Sequence, residues 1–374
     1  MDWDEYLGIS GSSEGSEAPA FTSAPTFDYT WEPSKYRVSG TAGVDVHPTP
    51  RGILIGAKHG LKCYSPTAGI VNTACGDPLC THDPFSDCAF SSYTGWNTSP
   101  VSDGAFLYYI HNPPKEDWKY HQLVKCDMYG MNLTVLYESE NKMHRFFLLD
   151  RSLYFMEEGA EQGAQLYRYD LDTGTCKSPN VNSNEGLITQ GYIPVGNAIY
   201  YVFDGALYKS NPGLTDVDKV LDDFAYQELY TDGRNLFYVA HNKGIYKTDL
   251  TNFRTELVYE IPEGLMIDSH QLADGGISFR LMDFDKRAWS TADFDAWIAQ
   301  YPENSIYFYQ FEEDVCLEIK LGDFYTVNYS IYDGKLFMEE YLKDSTNRGV
   351  GGHWYLSDIH AFEPILLFED RVRW

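Results

Sequence analysis

The chain has 374 residues, of which 43% are hydrophobic and 16% are aromatic, a composition that favours strands over helices. Its 28 Lys and Arg against 55 Asp and Glu give a formal net charge of −27, which repels polyanions and makes nucleic acid and anionic membrane surfaces poor partners. No run of 18 apolar residues occurs, so no transmembrane helix is predicted. Cationic ligands, divalent metals and basic peptides stay open as partners.

The first segment, residues 1–34, is predicted to be a flexible acidic tether. It contains no Lys or Arg before Pro33, and the stretch from Gly11 to Pro19 is rich in Gly, Ser and Glu. The first residues lack the basic and apolar parts of a signal peptide. Two interpretations follow: a cytoplasmic protein, or an extracellular or cell-envelope protein whose signal was removed. A tether of this kind commonly joins a folded domain to an anchor, which favours the second interpretation, and a disordered terminus without a role is the alternative.

From residue 35 to residue 374 a two-strand pattern recurs and indicates a single repeat-built domain. In each copy an apolar strand follows a tight turn, often Asp-Gly, and a second strand of the Leu-Tyr-Lys type comes later. The apolar strands begin near residues 51, 103, 150, 196, 232, 274 and 333, and the second strands near 60, 122, 165, 206, 244, 315 and 353. Repeats of roughly 40 to 50 residues built from short strands are typical of propeller blades. The sequence therefore predicts an all-β fold, a β-propeller of seven four-stranded blades.

One copy of the repeat carries a family resemblance. Its sequence Leu-Tyr-Arg-Tyr-Asp-Leu-Asp-Thr-Gly, from Leu166 to Gly174, resembles the repeat of low-density-lipoprotein-receptor-like propellers. It is more similar to that of bacterial surface-lipoprotein propellers of Gram-positive gut anaerobes, and the resemblance covers residues 36–374. The receptor-type Tyr-Trp-Thr-Asp tetrad is absent, and forms such as Tyr108 to His111 take its place. The resemblance implies a cell-surface propeller, which we expect to be monomeric, and it implies no receptor-like partner.

A cysteine-rich stretch carries the one chemical motif of the chain. Cys75, Cys80, His82 and Cys88 have the spacing C-x4-C-x-H-x5-C, and Cys3His is a standard ligand set for tetrahedral structural zinc. A disulfide between two of these cysteines, with the third paired to Cys63 or free, is the alternative. Catalytic zinc is disfavoured because a closed four-ligand shell leaves no position for water. The remaining cysteines are predicted to be packed thiols: Cys126, Cys176 and Cys316.

Long insertions are predicted on one face of the propeller. Connections between the second and third strands of a blade share a face with the connections between blades, and we call this side the loop face. Insertions at residues 74–96, 112–120, 282–305 and 343–352 fall in these connections. Because loops held by a rigid scaffold carry function, the loop face is where we predict a ligand site.

Two of these insertions supply candidate ligand-binding residues. After a capping-box pattern at 290–293, apolar residues at helical spacing up to Tyr301 predict a short amphipathic helix that ends before Pro302. Its apolar side either packs on the propeller or covers a ligand. The glycine-rich stretch 349–352 is either a flexible loop or an anion-binding turn. The candidate ligand-binding residues are Trp297, Arg287, Arg348 and His353.

No catalytic residue is predicted, since no motif such as His-Glu-x-x-His occurs. We expect a non-catalytic binding module for a protein, peptide or glycan, with exposed aromatic residues on the loop face and no buried carboxylate cluster. The alternative is a carbohydrate-active enzyme, a glycosidase or lyase, with converging carboxylates of raised pKa in the central cleft. A purely structural scaffold would show neither feature. Structural zinc is the only cofactor that the sequence predicts.

Overall fold

A computed structural model describes residues 24–32, 46–57, 60–80, 90, 100–111, 121–159, 163–178, 191–224, 228–286, 293–343, 346–347 and 349–369. Within these residues the chain forms seven four-stranded antiparallel sheets, each built from four consecutive strands. The first strands of neighbouring sheets contact one another, as β13 contacts β17 and β21 contacts β25. The seven sheets are therefore the blades of a β-propeller around a central channel, as the sequence predicts.

The strands follow one another blade by blade. Blade 1 contains β1 (Val46–Thr49), β2 (Gly52–Ala57), β3 (Gly60–Ser65) and β4 (Ile70–Thr73), and blade 2 contains β5 (Val101–Ser102), β6 (Phe106–His111), β7 (His121–Asp127) and β8 (Thr134–Ser139). Blade 3 contains β9 (Lys142–Leu149), β10 (Ser152–Gly159), β11 (Gly163–Asp170) and β12 (Thr175–Lys177), and blade 4 contains β13 (Gly191–Val195), β14 (Ala198–Phe203), β15 (Ala206–Ser210) and β16 (Val217–Leu221). Blade 5 contains β17 (Leu229–Thr231), β18 (Asn235–Ala240), β19 (Gly244–Asp249) and β20 (Thr255–Glu260). Blade 6 contains β21 (Leu265–Ala273), β22 (Gly276–Asp283), β23 (Ser305–Gln310) and β24 (Val315–Lys320), and blade 7 contains β25 (Thr326–Tyr332), β26 (Lys335–Lys343), β27 (Gly349–Asp358) and β28 (Ile365–Glu369).

Tight turns join the first and second strands of the blades. At the turn of blade 7, Asp333 has φ 47° and Gly334 has φ 67°. Two consecutive residues with positive φ match the twist of the flanking strands, which is why Asp-Gly is favoured there. The Asp-Gly pair of the sequence thus sets this hairpin. The same pair of conformations recurs within blade 4, between its second and third strands, where Asp204 and Gly205 have φ 45° and 70°.

Aromatic rings fill the spaces between blades. Phe237 of blade 5 stacks on Phe311, which follows the third strand of blade 6, at a centroid distance of 4.1 Å. Tyr259 and Phe279 join the same two blades at 5.3 Å. Phe237 and Phe279 are fully buried, and burying one such side chain stabilises the fold by about 1.5 to 3 kcal/mol. The abundance of Tyr and Phe is therefore used for packing between blades.

Side-chain packing closes the ring between blades 1 and 7. No described strand from the start of the chain joins blade 7. Instead Tyr64 of blade 1 meets Phe337 of blade 7 at a centroid distance of 6.2 Å, in a cluster that also contains Trp354. Among the described residues, closure of the propeller therefore depends on hydrophobic contacts rather than on shared strand pairing.

Residues 24–32, the described part of the predicted tether, pack across this closure. Phe27 contacts the Tyr64 ring at 6.1 Å, and Tyr29 contacts the Tyr332 ring at the same distance. The Tyr29 hydroxyl donates to the Thr49 carbonyl at 2.6 Å and accepts from the Thr49 amide at 3.0 Å. These aromatic residues of the predicted tether therefore pack their rings against both blades.

The loop face has long connections at most of the predicted places. β4 and β5, β6 and β7, and β22 and β23 are separated by the predicted insertions. The connection of blade 7 is shorter than predicted, because residues 349–352 belong to β27 and pair with β26, with Gly351 opposite Tyr341. The predicted glycine-rich turn is thus largely a strand.

The blade 6 insertion contains the predicted short helix, α1 (Phe294–Ile298), after a 3₁₀ turn at Phe284–Lys286. Its cap is Asp293 rather than Ser290, since Asp293 Oδ1 accepts from the Ala296 amide at 2.9 Å. The Phe294 amide donates to the Asn347 carbonyl at 3.0 Å. The helix therefore links the insertion of blade 6 to blade 7. The described residues include no helix with the length and apolarity that crossing a membrane requires.

Candidate functional site

Three inner strands carry a bulge at the same place. In β9, Arg145 and Phe146 stand opposite the single residue Phe155; β21 and β25 show the same two-against-one register, with residues 269–270 opposite 279 and 327–328 opposite 339. Arg145 and Ser269 adopt positive φ values of 46° and 50°. A left-handed backbone conformation at a non-glycine residue costs about 1 to 3 kcal/mol, and such residues concentrate at functional sites. A bulge also changes the direction in which the side chains of its strand point. The bulges therefore mark the channel wall of blades 3, 6 and 7.

The bulge of blade 3 directs a cation to blade 5. Arg145 Nη2 lies 3.4 Å from Glu228 Oε1, and the two side chains are 28% and 24% exposed. Glu228 precedes β17, the inner strand of blade 5, so it lies at the loop-face end of that strand. The pair spans two blades that are not neighbours, which places it at the mouth of the central channel.

Glu228 also belongs to a triangle with a tyrosine and a histidine. The Tyr230 hydroxyl donates to Glu228 Oε2 at 3.1 Å and lies 2.7 Å from His270 Nδ1, which is itself 3.1 Å from Glu228 Oε2. Burial lowers the pKa of His270, against the raising effect of Glu228. The ring is therefore neutral at pH 7, and its 3.1 Å contact with Glu228 Oε2 is not an ion pair. An Nδ1–H that points to the tyrosine oxygen satisfies these contacts and leaves the lone pair on Nε2.

A second histidine lies beside this triangle. The His241 ring is 5.1 Å from the His270 ring, centroid to centroid, and His241 Nδ1 is 2.9 Å from the Ile267 carbonyl oxygen. His241 is exposed and sits in the turn between β18 and β19, on the loop face. The mouth of the channel thus presents two imidazoles, one exposed and one buried.

A carboxylate of blade 6 lies between the two histidines and the blade 6 insertion. Asp268 Oδ2 accepts from the Tyr301 hydroxyl and from Ser269 Oγ, both at 2.9 Å. The Arg280 guanidinium lies 3.8 Å from the centre of the Tyr301 ring and 5.3 Å from that of Trp297. We define the channel cluster as a set of seven residues: Arg145, Glu228, Tyr230, His241, Asp268, His270 and Tyr301.

Arg280 anchors the blade 6 insertion to blade 7. It is 2% exposed, and it donates to the Thr326 carbonyl at 3.2 Å and to Asn304 Oδ1 at 3.1 Å. Both acceptors are uncharged, and burial lowers the pKa of the guanidinium without removing its charge. Arg280 therefore fixes Tyr301, and through it Asp268, relative to blade 7.

The predicted ligand-binding residues lie in different places. Trp297 is half-buried on α1 and contacts Tyr301, with ring centroids 5.2 Å apart, so it borders the channel cluster. His353 lies on β27, the third strand of blade 7, where its Nδ1 is 3.2 Å from Glu340 Oε2. Arg287 and Arg348 lie outside the described residues. Of the four, the structure brings only Trp297 next to the cluster within its described part.

The predicted metal site is described only in part. Cys75 and Cys80 are half-buried free thiols, while His82 and Cys88 lie outside the described residues. Cys63 is a free thiol as well, so the disulfide alternative is not formed in the described part of the chain. Within that part, no group of three or more His, Cys, Asp or Glu residues is placed to hold a metal ion. Structural zinc bound by Cys75, Cys80, His82 and Cys88 remains a prediction.

Sequence reasoning missed the channel cluster. A signal was present, because Asp268 to Gln271 interrupts the apolar strand pattern of β21, and Arg145 does the same in β9. Each interruption marks a bulge, but an isolated polar residue in a strand is more often a solvated position. Only the convergence of inner strands from distant repeats brings these residues together.

No family model matches the chain, and no curated protein matches it. Among solved structures it is similar to an acylaminoacyl peptidase in complex with Z-Gly-Gly-Phe-chloromethyl ketone, at 11% identity and a TM-score of 0.52, covering 90% of this chain and 53% of that chain. It is similar to an oligogalacturonate lyase from Vibrio parahaemolyticus at 9% identity and a TM-score of 0.50, and the match covers 73% of this chain and 76% of that chain. It is also similar to the β-propeller domain of the Trilobed protease from Pyrococcus furiosus, which is described as having an open velcro topology. This match has 10% identity and a TM-score of 0.49, and it covers 90% of this chain and 97% of that chain. The first two of these similarities show a shared fold. The chain is a seven-bladed β-propeller, and its relation to lipoprotein or receptor-like propellers remains a prediction.

Proposed function

We propose that this β-propeller is a non-catalytic binding module whose ligand binds at the mouth of the central channel on the loop face. The observation that carries the proposal is the pair of Arg145 and Glu228, which bridges blades 3 and 5 while both side chains stay partly exposed. Trp297 and Tyr301 are half-buried rather than exposed, so the expected aromatic surface is only partly present there.

Preorganisation supports the proposal. The bulges hold Arg145 and Ser269 in strained backbone conformations, and the hydrogen bonds to Asp268 and Glu228 fix the side chains before any ligand arrives. A site fixed in advance loses less conformational entropy on binding, which raises affinity. Strained backbone positions of this kind cluster at ligand-binding sites, where the strain is part of the preorganisation.

A ligand screen with matched variants tests this proposal. The purified full chain is screened by thermal shift against oligosaccharides and peptides. The affinity of each hit is then measured for the parent protein and for the Glu228→Gln variant. Arg151→Met is the control, since Arg151 forms an exposed ion pair with Asp172 at 3.0 Å in the turns of the opposite face. Hits that lose affinity in Glu228→Gln and keep it in Arg151→Met support the proposal. Hits that bind both variants equally would place the site elsewhere.

A second candidate function is a carbohydrate-active enzyme, because the triangle of Tyr230, His270 and Glu228 has the form of an acid–base group. A neutral His270 is able to accept a proton at Nε2, and the Tyr230 hydroxyl lies 2.7 Å from the other ring nitrogen, Nδ1. Incubation with oligosaccharides, with detection of new reducing ends and of unsaturated products, tests for hydrolysis and elimination. Turnover that is lost in His270→Ala while oligosaccharide binding persists would favour the enzyme over the binding module.

The proposal includes a monomeric protein of the cell surface or envelope. The support is the acidic tether predicted before the propeller and the family resemblance of its repeats. Fractionation of the producing cells, with detection of the chain by antibody, tests the location, and a cytoplasmic result would overturn it.

A further inference from the structure

We infer that the ligand of the channel cluster is a neutral glycan, recognised through two adjacent hydroxyls by Arg145 and Glu228. This inference rests on the proposed binding function and adds the chemical class of the ligand. It follows from the balance of charge at the site, from the geometry of the ion pair and from the field of the whole chain.

Charge is balanced among the described residues around the site. Arg145 faces Glu228, and on the other side Arg280 and Asp268 both contact Tyr301. His270 adds no charge at pH 7, because burial lowers its pKa. Among the described residues, two anions of the channel cluster are thus accompanied by two cations, Arg145 within the cluster and the buried Arg280 behind Tyr301. A site without excess charge offers neither a cation nor an anion a net electrostatic gain, so it suits an uncharged polar ligand.

The ion pair matches the hydrogen-bonding needs of a diol. Each sugar hydroxyl both donates and accepts a hydrogen bond. Arg145 offers donors only and Glu228 offers acceptors only, and they lie side by side at 3.4 Å. A tight charge-assisted pair has about 2.7 to 2.9 Å between its atoms, so this pair is loose. One hydroxyl is able to donate to Glu228 while its neighbour accepts from Arg145.

Charged ligands fit the channel cluster less well than a neutral glycan does. The net charge of −27 repels polyanions such as uronate-rich glycans. It attracts basic peptides, but their cations would have to compete with the donors that the carboxylates of the cluster already have. Glu228 Oε2 already accepts from Tyr230, and Asp268 Oδ2 accepts from Tyr301 and Ser269. A neutral glycan is able to use Glu228 Oε1, which accepts a long 3.4 Å hydrogen bond from Arg145 Nη2, together with the donor beside it.

Titration of the full chain with defined probes tests the inference. Neutral gluco-, galacto-, manno- and xylo-oligosaccharides are compared with a galacturonate oligosaccharide and an oligolysine peptide by isothermal titration calorimetry. We expect a neutral oligosaccharide to bind, and Glu228→Gln and Arg145→Met each to weaken its binding by about tenfold or more. A deoxy form of that oligosaccharide, lacking one of the adjacent hydroxyls, should lose a similar factor. Arg151→Met should bind as the parent does, and circular dichroism with thermal unfolding confirms that each variant is folded.

Arg145→Lys separates charge from geometry. It keeps the positive charge but not the forked donor, so binding to a diol should weaken as in Arg145→Met. Full affinity in Arg145→Lys would overturn the diol geometry.

The remaining outcomes separate the inference from the proposed function. If the oligolysine or galacturonate probe binds and that binding is lost in Glu228→Gln, the binding site stands and the neutral-glycan class is wrong. If a neutral oligosaccharide binds equally well to Glu228→Gln and Arg145→Met, the proposed site is wrong as well. Binding by none of the neutral oligosaccharides overturns the inference.

Discussion

Arg145 of blade 3 and Glu228 of blade 5 meet at 3.4 Å although blade 4 lies between them in the ring. Blade 4 contributes Tyr192 on its inner strand, whose hydroxyl is buried without a hydrogen-bond partner among the described residues. Burial raises the pKa of Tyr192, and the nearby Arg145 opposes that rise. A contact that skips one blade forms only where inner strands converge, so the pair reports the geometry of the channel.

Glu228→Gln should alter stability by less than about 1 kcal/mol, because ion pairs between partly exposed groups contribute little. The amide oxygen of the substituted side chain would still accept a hydrogen bond from Tyr230. Urea unfolding at pH 7 measures the change, and Arg151→Met provides the comparison with a more exposed pair. A much larger loss for Glu228→Gln would show that the pair is mainly a structural element of the ring.

His47 should make stability fall in acid. Burial lowers its pKa to about 3, whereas the unfolded chain binds a proton below about pH 6.5. The contribution of His47 to stability is therefore complete above about pH 6.5 and decreases as the pH falls toward 3, by about 2 kcal/mol at pH 5.

His47→Gln removes this one contribution while other groups that titrate in acid stay. The difference in unfolding free energy between pH 7 and about pH 5 should be about 2 kcal/mol smaller in the variant than in the parent. Urea titrations at both pH values measure it. Equal differences in the two proteins would contradict the burial of an uncharged His47.

Phe337→Ala should open the closure between blades 1 and 7. Phe337 is fully buried against Tyr64, and deleting a buried Phe side chain costs about 3 to 5 kcal/mol. Ile365→Ala is the control, since Ile365 is 49% exposed on an outer strand. Denaturant unfolding and limited proteolysis should show a large loss for the first variant and little change for the second. A small loss for Phe337→Ala would mean that the ring closes through other contacts.

Arg280→Lys should loosen the blade 6 insertion. An ammonium cannot reach both the Thr326 carbonyl and Asn304 Oδ1 while stacking on Tyr301, so we expect a loss of about 1 to 3 kcal/mol. Hydrogen exchange should become faster across 293–301. Lys286→Met, at an exposed residue of the same insertion, should leave exchange unchanged. Unchanged protection in Arg280→Lys would contradict the role of Arg280 as the support of the helix.

Thiol reactivity and metal content test the cysteine predictions together. Burial raises the pKa of Cys126, Cys176 and Cys316 to about 12, so these thiols should react slowly at about pH 7.5. Elemental analysis should find about one zinc per chain, and a chelator should release additional reactive thiols. The metal should be lost in Cys80→Ser and kept in Cys176→Ser. A metal-free protein would overturn the zinc prediction.

Much of the architecture was predictable because it is local. The Asp-Gly turns, the apolar second strands and the Leu-Tyr-Lys third strands are each short segments, and they matched strands and turns of the blades. The helix at Phe294 followed from its spacing, although Asp293 replaced Ser290 as its cap. The glycine-rich stretch 349–352 was predicted to be a loop or an anion-binding turn but belongs to β27, because pairing with β26 outweighs its weak strand propensity.

Local sequence signals were enough to specify the number of blades, the β class and the side with long connections, since short-range periodicity and turn chemistry encode each of them. The channel cluster and the ring closure depend instead on tertiary packing. Arg145 and His270 lie in different repeats, far apart in the chain, and gain their roles only when bulged inner strands converge on one axis. No local pattern encodes that convergence, because it results from packing seven blades into a closed ring.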